Sequence, residues 1–103
     1  MSRTRLDFHA LLSTITGAEH IYYQPPSNMQ MIFPCIEYHD APMDMKFAND
    51  MPYVGTRHYQ LTVIDPLPNN EWIQKIAISL QMCVHNRHYT SDGLNHDVFD
   101  IYY

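Results

Sequence analysis

Apolar and polar positions repeat along this chain with two different periods, and each switch of period marks an element. In "TRLDFHALLSTITG" the residues Phe8, Leu11, Leu12 and Ile15 fall at i, i+3, i+4 and i+7, so they share one face of a helix. Thr4 is placed to cap that helix, with Asp7 near the positive end of its dipole. Gly17 suits the stop, because glycine takes the left-handed conformation past the last turn. A second helical stripe, Trp72, Ile73, Ile76, Ala77 and Leu80 in "EWIQKIAISLQ", predicts a helix capped by Asn69 or Asn70 and lying on a sheet. Between the two helices the period becomes two: in "RHYQLTVID" Tyr59, Leu61 and Val63 alternate with His58, Gln60, Thr62 and Ile64, the mark of a strand.

The remaining strands are shorter or flanked by breakers. "EHIYYQPP" is β-branched and aromatic until Pro25 and Pro26 end it. "MIFPCIEYHD" places Ile32, Ile36 and Tyr38 on one side, with Phe33, Cys35, Glu37 and His39 on the other. Pro34 has no N–H for a ladder, so this strand begins there or lies at an edge. Residues 40–56, with Pro42, Pro52 and Gly55, show no steady period and read as a long loop. "MCVHNRHYT" and "NHDVFDIYY" read as two strands joined tightly around Asp92 and Gly93, with Val98, Phe99 and Ile101 anchoring the last one. The order of elements predicts a single α+β domain spanning residues 1–103, a mostly antiparallel sheet of four to five strands with two helices packed on one face.

Composition changes this picture in one respect. Charged residues make up only 17% of the chain, against about 25% in an ordinary soluble domain. Eight Tyr and seven Met accompany that shortage, and both types are enriched where proteins meet. The net charge of −5, with six Lys and Arg together, argues against a surface built to hold a polyanion. Cys35 and Cys83 are too few for a disulfide scaffold and read as buried free thiols of a cytosolic protein. The N-terminal stretch, interrupted by Asp7, His9 and Ser13, lacks the apolar core of a signal peptide, and no run is long enough for a membrane span.

The chemistry that stands out is at the end, where "HNRHYTSDGLNHDVFDIYY" gathers His85, His88 and His96 with Asp92, Asp97 and Asp100. With Cys83 these histidines supply enough donors for a tetrahedral zinc. Strand side chains three positions apart point to opposite faces, however, so His85 and His88 diverge unless a bulge intervenes. No metal site is assigned on that pattern. A nuclease centred on His85, His88, His96 and Asp97 needs a basic surface and a helix after the hairpin, and this acidic chain ends in "DVFDIYY" instead. Ser13, Ser27, Ser79 and Ser91 lack the glycine-flanked turn of a hydrolase nucleophile, and the three glycines are too dispersed for a phosphate loop. No catalytic residue and no cofactor follows. The loop around Asp40, Asp44 and Asp50 lacks the spacing of a calcium loop. Its length and its Met43, Met45, Phe47 and Met51 point to binding, since a long structureless loop in a small domain usually has a function.

The succession "IYYQPP", "IFPCIEYHD", "KFANDMPY", "RHYQLTVID", "NNEWIQKIAISLQ" and "HYTSDGLNHDVFDIYY" resembles the small tail-terminator or tail-completion proteins of long-tailed bacteriophages, also called head-to-tail joining or minor structural proteins. The resemblance covers nearly the whole chain and lies in the combination of phrases. It implies a virion structural protein with no enzymatic activity, assembled in the host cytoplasm into a hexameric ring. Such a ring caps the tail tube protein, receives the head connector, and lets DNA pass through its lumen without specific binding. An acidic lumen suits that passage, because like charges repel the phosphates. Phe47, Asp50 and Tyr53 in the long loop are the expected contacts to a neighbouring subunit or tube protein, and Tyr102 and Tyr103 are expected at an exposed edge. The chain is shorter than many such proteins, which keeps a neighbouring head-closure component of the neck as the alternative. The competing readings from other classes are the metal-dependent nuclease and a small inhibitor that presents its acidic loop to a basic partner.

Overall fold

A computed structural model describes residues 4–42, 57–80 and 82–103. Helix α1 (Arg5–Thr16) begins where the sequence expects: the Thr4 hydroxyl accepts from the Asp7 amide at 3.1 Å and the Asp7 carboxylate accepts from the Thr4 amide at 3.0 Å. These paired bonds satisfy two amides that the first turn would otherwise leave open. Gly17, at φ 70°, ends the helix by donating to the Ser13 carbonyl. Strands β1 (Ile21–Tyr23), β2 (Cys35–Asp40) and β3 (His58–Asp65) follow. Helix α2 (Glu71–Ser79) comes next, and β4 (Cys83–Ser91) and β5 (Leu94–Tyr102) complete the chain. Asn70 is the cap of α2, its side-chain oxygen accepting from the Trp72 amide at 2.7 Å. β2 starts directly after Pro34, as the missing N–H requires.

The five strands form one mixed sheet in the order β1-β2-β3-β5-β4. Three of the pairings are antiparallel, and β1 runs parallel to β2. Residues 24–34 carry the chain back to make that parallel pair. Asp92 and Gly93 both have positive φ, at 53° and 74°, the backbone that a two-residue hairpin turn needs to match strand twist.

Register divides the sheet into two faces. Ile36, Tyr38, Tyr59, Leu61, Val63, Phe99 and Ile101 face the helices and meet Phe8 and Leu12 of α1 and Ile76 of α2 in one core. The fold class expected from periodicity is therefore the one observed, with both helices against one face. The α2 stripe is narrower than its pattern: Ile76 is buried and Trp72 and Ile73 are half-buried, but Ala77 faces solvent. An aromatic cluster ties α1 down. Phe8 stacks on Tyr59 at 4.4 Å between ring centroids and meets Tyr38 edge-on at 5.4 Å. Among the described residues, no helix is long and apolar enough to cross a membrane.

Candidate functional site: an open sheet edge

The sheet order leaves β4 outermost, paired on one side with β5 and on the other with nothing among the described residues. Eight of its nine residues are exposed. A strand so placed offers a row of unpaired N–H and C=O groups to any extended segment of suitable side chains. The opposite edge, β1, is only three residues long. β4 contains Arg87, His85 and His88 and no carboxylate, in a chain of net charge −5. Val84 and Tyr89 are exposed at 51% and 40% and lie on the sheet face turned away from the helices.

The hairpin holds a bulge that its sequence does not announce. The register with β5 shifts between His85 and Arg87, so Asn86 is the extra residue. One added residue reverses the alternation, and His85 and His88 emerge on the same, helix-side face. His85 Nε2 lies 3.1 Å from Asp97 Oδ1, and His88 Nε2 lies 3.3 Å from Asn95 Oδ1. Asn69 and Ile73 form the facing wall of a cleft of about 410 Å³ lined by these four side chains. His96 is on the other face, stacked on Tyr89 at 4.5 Å, so the four residues grouped by sequence as a nuclease centre do not converge. Among the described residues, no three His, Cys, Asp or Glu side chains form a group able to hold a metal ion.

His58 and His9 have partners of their own. His58 Nε2 is 2.9 Å from Asp100 Oδ1 and its Nδ1 is 2.6 Å from the Pro42 carbonyl. Asn86 donates to the second Asp100 oxygen at 2.6 Å, which ties the bulge to β5 and β3. His9 Nδ1 sits 2.8 Å from the Tyr38 hydroxyl, and burial, with Arg5 nearby, holds its pKa below the ordinary imidazole value. Across the helix-free face, Pro25, Met29 and Met31 overhang Glu37, Tyr89 and His96 in an open cleft of about 490 Å³. Cys35 is buried, and burial pushes its thiol up to about 12; Cys83 is half-buried, raised to about 11 by burial and then by Asp100. Neither thiol is poised as a nucleophile.

Two residues expected at an exposed edge lie elsewhere. Tyr102 belongs to an interior strand, is 8% exposed and stacks on His58 at 4.3 Å. Tyr103 packs against the core beside Phe8, and its backbone pairs with Arg57. They are not at an exposed edge because the last strand inserts between β3 and β4, leaving the strand before it outside. Phe47, Asp50 and Tyr53 lie outside the described residues. The edge itself had a faint signal in the sequence: "CVHNRHYTS" offers one aliphatic residue, Val84, in nine positions, too little for a strand buried on both sides. No family model matches the chain, and no curated protein or solved structure matches it significantly.

Proposed function

We propose that this chain is a ring-forming structural protein of a phage tail, a tail terminator or tail-completion protein that caps the tail tube and joins it to the head connector. The observation that carries the reading is β4, a nine-residue exposed strand at the open edge of the sheet. In a closed ring, each subunit offers such an edge to its neighbour and no edge remains unpaired. Arg87 and the histidines of β4 suit a neighbour whose facing surface shares the acidic excess of the chain. The low charge content and the resemblance along nearly the whole sequence support the same reading.

In this account the work is done by interfaces. The ring docks on the last layer of the tube, ends its polymerisation and presents a new surface to the head. Electron microscopy of tail tubes polymerised with and without the protein tests it. The expected result is a closed ring at one end of each tube and tubes that stop lengthening once capped. Tubes that grow on unchanged, with bare ends, contradict it.

A further inference from the structure

The bulge at Asn86 creates an arrangement of donors that the linear spacing of the histidines conceals. His85 and His88 occupy neighbouring positions on one face of an exposed strand. Side chains two strand steps apart on one face stand roughly 7 Å from each other. Two imidazoles can close that span around one ion, with metal–nitrogen bonds of about 2.0–2.1 Å.

Hydrogen bonding fixes which nitrogen of each ring is free. The Asp97 carboxylate only accepts, so His85 presents its proton at Nε2. Asn95 Nδ2 is turned towards the carbonyls of Asp65 and Pro66, at 3.3 Å each, which leaves its Oδ1 as the acceptor for His88 Nε2–H. In both neutral rings the lone pair is therefore on Nδ1, and no described residue bonds to either Nδ1. A ring whose far N–H is held by a carboxylate or amide oxygen is the usual state of a metal-binding histidine, oriented and made more basic by its outer partner. Asp97, only 9% exposed, is held in place for that role by the sheet.

We propose that His85 and His88 form a two-imidazole chelate for a divalent transition ion of the zinc or copper class, with Nδ1 of each ring as the ligand atom. Asp97 and Asn95 are its positioning residues, and water completes the coordination. The ion would sit on the edge strand, where imidazole nitrogens favour zinc and copper over magnesium or calcium. With two protein ligands, the site is weaker than a closed four-ligand structural zinc. The chelate requires neither the ring nor the tail, so it stands or falls separately from the proposed function.

The test is titration of the purified full chain with Zn²⁺ by calorimetry in a non-coordinating buffer, together with Cu²⁺ electron paramagnetic resonance to count coordinated imidazoles. One equivalent should bind, with two imidazole nitrogens in the Cu²⁺ spectrum. His85→Gln or His88→Gln should abolish that binding and leave at most one imidazole. Asp97→Asn should weaken it by about tenfold or more, the usual effect of losing an outer partner. His96→Gln, on the opposite face, should leave affinity unchanged. Circular dichroism of each variant verifies the fold, and His88, exposed at the edge, can be replaced without opening the core. Absence of saturable binding, or binding that survives both His85→Gln and His88→Gln, overturns the proposal. So does equal loss on His96→Gln.

Discussion

Replacing Phe8 by Ala tests how α1 is fastened to the sheet. The ring is fully buried, stacked flat on Tyr59 with an interplanar angle of 4°, edge-on to Tyr38 at 80°, and tilted against Tyr103 at 5.3 Å. Truncating a buried phenylalanine removes its transfer free energy and leaves a cavity, together about 3–5 kcal/mol. Each well-placed aromatic pair contributes about 0.5–1.5 kcal/mol within such a loss. A domain of this size has only about 5–15 kcal/mol to lose, so the variant should lie near the edge of folding. Phe8→Leu keeps most of the apolar volume and gives up the ring contacts, so its loss should be clearly smaller. Urea unfolding followed by far-ultraviolet circular dichroism measures both, and an unchanged m-value identifies the change as one of stability. A double-mutant cycle pairing Phe8→Leu with Tyr59→Leu should show a coupling of about 0.5–1.5 kcal/mol. A loss below about 1 kcal/mol for Phe8→Ala would refute the placement of α1 on the sheet, because no buried phenylalanine is that cheap to remove.

Three further outcomes follow from the same geometry. Thr4 holds the Asp7 carboxyl below its ordinary pKa, first through its backbone amide and then through its hydroxyl. The folded state therefore favours the charged form: its contribution is present above the ordinary carboxylate range and is lost as pH falls through the folded value. Asp7→Asn should flatten that acid limb of the stability–pH curve, and an unaltered limb would contradict the capping box. Cys35 and Cys83, raised to about 12 and about 11 by burial, should alkylate slowly at mildly alkaline pH and quickly in urea. Cys83 should be the faster of the two in the folded protein, as mass spectrometry of partly labelled chains can read. Asp100→Ala removes the common acceptor of His58 and Asn86. The expected cost is about 1.5–3 kcal/mol by thermal or urea unfolding, the usual range for hydrogen bonds to a charged group, and a neutral result would mean that the bridge does not hold the strands together.

Periodicity alone made most of the fold legible, because the strongest patterns sit where burial is one-sided. The alternation of β3, the stripe of α1 with its Thr4 and Gly17 boundaries, and the Asp92–Gly93 turn each state locally what the packing then uses. What escaped the sequence depends on neighbours distant along the chain. Ala77 fits a helical stripe as well as Ile76 does, but only the direction from which the sheet approaches decides which is covered. The order that puts β5 inside and β4 outside is a choice between two strands of one hairpin. The apolar run Val98–Phe99 is buried on both faces, while "HNRH" faces water, and burial of the more apolar strand sets the order. The same inversion puts Tyr102 in an interior strand and leaves Tyr103 half-buried against the core, away from the expected edge. A bulge is the one condition that brings His85 and His88 together, yet nothing in "HNRHY" marks Asn86 as the extra residue. Bulges arise from the pairing of two strands, and one strand's residues rarely specify them alone.

The bulge and the Arg87 guanidinium of β4 also bear on how an open edge is kept from pairing at random. Such features guard edges in isolated domains, since a kink or a charge resists a flat, indifferent neighbour. A specific neighbour would have to match both. The most direct measurement is therefore the fraction of tail tubes capped by the wild-type chain and by a Val84→Lys/Tyr89→Lys variant, counted by electron microscopy and compared with the oligomer mass from light scattering. Both residues are exposed on β4, so the variant should keep the fold of the isolated chain. Capped tubes and a closed homo-oligomer are expected for the wild type, and bare tubes and monomer for the variant. A wild-type chain that remains monomeric in the presence of tubes, or a variant that caps them as well as the wild type does, would contradict it.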